Sequence, residues 1–389
     1  MSIKTVSHSR RSNSFTIPFL VQDSLQSTPP LSANHLNKEK GNAVGRLPGS
    51  SLVYVICLLF LTGVFLASAF IGRMEVPAGK IVETLVHFPG YLLALTTGNH
   101  EDLGEFERVF LLIRFPRILL ALLVGCGLSI SGAVYQGIFR NPLVSPDILG
   151  VAAGCTFGAS LGLLLPGSSF SVVRLLSFLT GLCAVGLALA MARAVHSRKT
   201  VVLVLTGIIS GSVFHAFFMI VKTVADPYNQ LPAIVFWVMG SLSGTSWTDT
   251  LQLFPIVIGG YILFHLFRFR LNVLSLGDAQ ARTLGVNPRG LRFFFIAVSS
   301  LIIAVCVASC GQVAWVGLVI PHIVRTMIGP DHRMLLPCSA ILGAAFLLLA
   351  DDIARAALSS ELPLGVITSL VGAPVFAWLL YQNNNRGWT

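Results

Sequence analysis

A chain of 389 residues in which 54% are hydrophobic and only 11% charged, with a mean hydropathy of +0.80, carries more apolar surface than a water-soluble domain can bury. That balance excludes a soluble enzyme as the main body, and no nucleic-acid partner is expected despite a formal net charge of +10. The bilayer is the solvent that suits such a chain, and a helix needs about 20 apolar residues to cross it.

Residues 1–50 differ from the rest. Rich in Ser, Asn and Pro, with six Lys or Arg against Asp23 and Glu39, they cannot bury enough apolar surface to fold alone. They read as a disordered cytoplasmic arm lying near anionic headgroups. Residues 51–389 read as one transmembrane domain. Its ten apolar runs fall at 52–72, 112–139, 148–165, 174–193, 200–222, 251–268, 292–310, 313–329, 334–350 and 363–381. Ala67, Ser68 and Ala69 could pass for a signal-peptidase site, but the preceding run is too long and too far from the N-terminus, so an uncleaved first span is expected. Arg193, His196, Arg198 and Lys199 mark a tight turn between the fourth and fifth spans. Pro321 interrupts the short eighth run and predicts a bent or interfacial helix. Asp226 to Leu242, with Tyr228 and Trp237, reads either as a short re-entrant helix or as an aromatic interfacial anchor.

The fold class is therefore an all-α membrane protein, with about ten transmembrane helices in a compact bundle. Placing the N-terminus inside puts most of the 26 Lys and Arg on the cytoplasmic side and most of the acids outside. By the positive-inside rule, both termini are cytoplasmic.

Several mechanisms are disfavoured. No Gly-x-x-x-x-Gly-Lys-Ser/Thr phosphate loop occurs, so an ATPase, if used, is a separate subunit. All 16 acids map to loops, the arm or span ends, which argues against a carrier that loads an ion on an intramembrane carboxylate. His215 and His265 are isolated and read as packing residues. The seven cysteines are scattered, imply no disulfide framework, and include one pair sharing a helix face, Cys306 and Cys310, with no His or acid at metal-ligand spacing. No metal site and no catalytic group is expected. Gly125, Gly127 and Gly132, like Gly207 and Gly211, would let helix backbones approach closely.

Four stretches carry more. The first runs from Arg114, Phe115, Pro116 and Arg117 through Gly125, Ser131, Gly132 and Gln136 to Arg140, Asn141, Pro142, Leu143 and Pro146. The second is Ser275, Leu276, Gly277 and Asp278 with Ala281, Leu284, Gly285 and Val286. The third is Gly311 to Val313 with Gly317, Pro321, His322, Arg325, Asp331, His332 and Arg333. The fourth is Asp351, Arg355, Glu361, Leu362, Pro363 and Gly365 with Gly372, Ala373, Pro374 and Phe376. In this order they resemble the FecCD-type permease family, the membrane subunits of type II ABC importers for iron-siderophore, haem or cobalamin. The polar arm is longer than the family norm.

The resemblance implies a multi-pass subunit of a bacterial or archaeal inner membrane, without enzymatic activity of its own. It would pair with a second copy or a paralogue, with an ATP-binding subunit that holds ATP and Mg, and with a periplasmic or lipid-anchored substrate-binding protein. Besides membrane lipid, no cofactor is expected in the chain itself. The resemblance also implies that the inner connection at about 273–291 is the ATPase-coupling loop, with Gly277, Asp278, Ala281, Arg282, Leu284 and Gly285. Composition supports the same segment, since it is the longest inward connection between spans and glycines and Pro288 punctuate one short helix; a plain solvated loop would show the same charge. On the outer face, the resemblance makes Arg114, Arg117 and Arg355 docking residues for the binding protein's carboxylates. The alternative is that they snorkel or pair with Asp351, Asp352 or Glu361. An iron-siderophore-type chelate is the expected cargo, with haem, cobalamin, or molybdate and tungstate as alternatives within the family, and an ATP-independent carrier or channel as the alternative outside it.

Overall fold

With no water in the hydrocarbon to satisfy peptide groups, an apolar run that enters a bilayer closes its hydrogen bonds internally as a helix. The computed structural model describes residues 50–72, 74, 76–88, 90, 91, 103–195, 200–358 and 360–384, and they contain helices and no strand. Of the arm expected at 1–50, only Ser50 belongs to the described residues, where it opens the first helix. His196, Arg198 and Lys199 also lie outside them.

Eight helices are long and apolar enough to cross a membrane: α1 (Ser50–Phe70), α3 (Glu105–Phe139), α5 (Phe170–Ala194), α6 (Thr200–Val224), α8 (Trp247–Leu266), α11 (Pro288–Cys310), α13 (His332–Ala356) and α14 (Leu364–Asn384). Two shorter apolar helices, α4 (Val151–Leu164) and α12 (Val316–Ile328), occupy the expected third and eighth spans. At 1.5 Å per residue each reaches only about 20 Å. A single 3₁₀ turn, Pro146–Leu149, lengthens the approach to α4. Between the spans, the described residues also form α2 (Ala78–Val86), α7 (Gln230–Met239), α9 (Arg268–Ser275) and α10 (Asp278–Thr283). Eight long helices, with α4 and α12 at the places of the third and eighth apolar runs, account for the ten runs expected from the sequence.

The bundle is organised around α3, which packs against α8, α11, α12 and α13 and is buried almost continuously from Ile118 to Phe139. Its small residues permit this. A Cβ on Gly125 would run into the backbone of Gly343 in α13, and one on Gly132 would run into the backbone of Gly317 in α12. The packing of helix on helix in lipid rests on such close approach. Tyr135, fully buried, satisfies its hydroxyl with Ser300 of α11 at 2.8 Å.

Two expectations are refined. The connection from Asp226 to Leu242 contains a helix of 10 residues, α7, whose Ile234 is fully buried. The ninth span does not stop near residue 350: α13 continues to Ala356 and carries Asp351 and Asp352 inside the helix, 0% and 3% exposed. Adjacent aspartates end an apolar run in a hydropathy reading, but a buried carboxylate is tolerated where cations meet it.

Candidate functional site

The inner connection is built from glycine turns and caps. After α9, Gly277 adopts φ 121, and after α10, Gly285 adopts φ 74, a left-handed conformation that L side chains rarely take. Val286 N–H then donates to Ala281 O at 2.9 Å, closing the end of α10. Asn287 caps α11, its side-chain oxygen accepting from the N–H groups of Arg289 and Gly290 at 3.1 and 3.3 Å. These local bonds stand the short helix off the spans.

Three contacts fix it to the bundle. Arg292 of α11 donates to Asp278 at 2.6 Å, which holds the Asp278 carboxyl below its ordinary range. Ala281 is fully buried. Arg140, the left-handed residue that ends α3, reaches the turn at Gly277, where an added Cβ would lie 3.1 Å from its guanidinium. One turn away, Asn272 of α9 donates to Asp331 at 2.6 Å and accepts from His332 N–H at 2.9 Å. The central helix, the inner connection and the start of α13 thus meet at one place. What they present outward is Leu276 and Leu284, about 60% exposed, with Arg282 and Gly285. Of the six residues expected in the coupling loop, Arg282, Leu284 and Gly285 face out, Asp278 is half-buried in its ion pair, and Gly277 and Ala281 are buried supports.

At the outer end, Arg114, Arg117 and Arg355 do come together, but they are not exposed cations. Arg114, 4% exposed, donates to Ala69 O at 2.8 Å and Met74 O at 2.9 Å, closing the carboxyl end of α1. Arg117 grips both oxygens of Asp351, at 2.8 and 2.9 Å, and reaches Glu361 at 2.9 Å. Arg355, 6% exposed, donates to Ser68 and to Asp352 and lies 3.8 Å from Asp351. Ser68 Oγ completes the group by donating to Asp352 at 2.7 Å. Packing of α3 on α13 brought Asp351 within reach of Arg117, and Arg355 one turn along α13 meets Asp352, so the internal pairing considered from the sequence describes Arg117 and Arg355 in this structure. For Arg114, backbone carbonyls take that place. A π-helical stretch, Val109–Arg114, immediately precedes the cluster, and the carbonyl of Leu111 within it accepts from the indole N–H of Trp247 at 2.8 Å. Sequence reasoning had no signal for that stretch.

Among the described residues, no group of three or more His, Cys, Asp or Glu could hold a metal ion. Cys306 and Cys310 are both buried, and the Cys310 thiol donates to the Cys306 carbonyl at 3.1 Å.

This architecture, with its inner helix and buried outer charges, has known counterparts. A model of the FecCD transport family matches residues 58–382. The chain belongs to the FecCD transport family. Among family relatives, the molybdate import system permease protein MolB of Haemophilus influenzae is 39% identical over 282 residues, covering 72% of this chain and 83% of the relative. A probable iron chelatin transport system permease protein of Helicobacter pylori is 40% identical over 294 residues, covering 75% and 89%. In three dimensions, a solved chain described as an inward-facing conformation of a metal-chelate type ABC transporter superposes with a TM-score of 0.74 at 34% identity, covering 85% of this chain and 99% of that one. The protein is thus a multi-pass ABC importer permease, and in this family ATP hydrolysis resides in a separate subunit.

Proposed function

We propose that this permease passes an iron-siderophore-type metal chelate inward across the cytoplasmic membrane, driven by an ATPase subunit that seats on α10. The observation that carries the coupling role is the inner helix itself. Leu276 and Leu284 are large apolar groups held in water on a mount that is tied by Asp278, Ala281 and Arg140 to the helix at the bundle's centre. Exposed apolar residues on a rigid support are what a partner's pocket recognises. The chelate is supported by the similarity to an iron chelatin permease and to a metal-chelate transporter; the similarity to MolB favours molybdate as the second reading.

A substrate-binding protein would dock over the outer end of α1, α3 and α13. There Glu361, with 19% of its side chain exposed, is the outermost partner of Arg117, and a carboxylate of the binding protein would take its place on that guanidinium. A second copy or a paralogue would complete the translocation path against the exposed apolar faces of α6 and α14, where Ile208, Phe217, Leu370 and Trp378 lie uncovered.

The test is purification of the tagged permease from membranes in mild detergent, identification of stoichiometric partners, and uptake assays with labelled ferric siderophore, haem, cobalamin and molybdate. Recovery of an ATPase with ferric-siderophore uptake is expected. Uptake of molybdate alone would replace the substrate, and a partner-free chain without ATP-dependent uptake would overturn the proposal. Gly285→Val should leave the complex assembled but uncouple hydrolysis from transport, because a β-branched residue at φ 74 costs about 1–3 kcal/mol and shifts α10; normal coupling in that variant would remove α10 from the role.

A further inference from the structure

Beside the inner connection, the structure holds a cleft of about 860 Å³ between the cytoplasmic end of α5, the start of α6, and the segment from α10 into α11. Arg193, Arg282, Arg289 and Arg292 line it, and Asp278 is its one acid. That acid is already taken by Arg292, at 2.6 Å. The other three arginines are exposed and have no carboxylate within ion-pair distance among the described residues. Arg193 lies over the ring of Phe293, 5.0 Å from its centroid, which uses the face of the guanidinium and leaves its N–H edge for another partner. On the side of the membrane-spanning helices the wall is apolar, with Leu189, Val202, Leu203 and Ile296.

We propose that this cleft binds the anionic headgroup of a glycerophospholipid of the cytoplasmic leaflet, with part of an acyl chain along the apolar wall. Charge complementarity names the headgroup, because three guanidinium groups with no carboxylate partner among the described residues line one cleft, where a phosphodiester can accept from them. The apolar wall selects lipid over a free oxyanion. Inorganic phosphate or a nucleotide gains nothing from Leu189, Val202 and Leu203, whereas a lipid lying at the ends of three spans meets both surfaces at once. Basic pockets between transmembrane helices on the cytoplasmic side suit anionic headgroups for this reason. Since Arg282 and Asp278 belong to the α10 mount, a bound lipid would brace that helix against α5 and α6. The assignment needs only a membrane-embedded chain, so it stands or falls separately from the cargo.

The experiment is native mass spectrometry of the purified full-length permease, titrated with equal amounts of phosphatidylglycerol and phosphatidylcholine. The wild type should retain phosphatidylglycerol preferentially. Arg193→Gln combined with Arg289→Gln should reduce that preference on the order of tenfold. Arg270→Gln with Arg333→Gln, an equal charge loss at cytoplasmic arginines resting on Phe267 and Phe269, should keep it, and the Arg193→Lys, Arg289→Lys pair should keep part of it, because an ammonium retains the charge and loses the fork. If thermal unfolding shows the glutamine pair destabilised, the exposed Arg289→Gln alone is the readout, with about a fivefold reduction expected. An absent preference in the wild type, or an equal loss in both glutamine pairs, would overturn the proposal. Displacement of the lipid by millimolar inorganic phosphate would instead reveal a free oxyanion site. Loss of the lipid when the ATPase joins would assign the cleft to that partner.

Discussion

Arg117 shows what a buried charge asks of its surroundings. Its guanidinium satisfies Asp351, which is fully buried, and Glu361 at the same time. Arg117→Ala would leave buried Asp351 without its hydrogen-bonded partner, with only Arg355 at 3.8 Å beside it, and a loss of about 3–5 kcal/mol is expected, read as a lowered unfolding temperature in detergent. Arg117→Lys should recover only part of it, because an ammonium cannot grip both oxygens of Asp351 in a fork while reaching Glu361. Asp278 is the inner counterpart, with a depressed carboxyl whose cause is first the hydrogen bond from Arg292. A depressed folded-state value means that the ion pair contributes fully above the ordinary carboxylate range and is lost as the pH falls through the folded value. Coupling is therefore expected to be insensitive to Asp278 between about pH 6 and 8. Asp278→Asn should imitate the acid state at neutral pH, with about 1–3 kcal/mol lost locally and faster hydrogen exchange over α10. An unchanged exchange rate would show that Arg292 does not hold the mount.

Among the elements, α3 is the most demanding in its packing. Gly125→Leu would force a side chain against the backbone of Gly343, and two helices closed by their own hydrogen bonds have little room to yield. The expected result is a sharp drop in folded yield from membranes. Gly259→Leu on α8, where an added Cβ meets nothing within 4 Å, should be tolerated; equal behaviour of the two would contradict the close approach. The glycines of α3 were legible as packing residues from their spacing. Their partners, Gly343 and Gly317, were not, because nothing in a linear pattern says which spans become neighbours. The same gap explains α13. Its last turns were unreadable as membrane helix because the Asp351–Asp352 pair lowers the local hydropathy, and Arg117, which pairs with Asp351, comes from a distant segment, while Arg355 pairs with Asp352 within α13.

For the whole molecule, the family match extends over residues 58–382, so the resemblance seen in four separated motifs reflects one continuous architecture. The relatives' names include both molybdate and iron chelate import. Cargo identity is therefore not fixed by the fold, and the uptake panel decides it. Raising ionic strength should weaken docking of a soluble binding protein at the outer face, where exposed charges are screened within about 8–10 Å. The Arg117–Asp351 pair itself, buried, should be far less sensitive.

Composition and the lengths of the apolar runs by themselves determined an all-helical membrane protein, the places of its apolar helices and the place of the inner connection. Each of these depends on the interaction of a local segment with a bilayer, which is a one-dimensional property. Only the tertiary structure decided that Arg114, Arg117 and Arg355 turn inward, that α13 carries buried aspartates, and that Arg193 and Arg289 share a cleft, since ion pairing and burial are set by which segments meet in space.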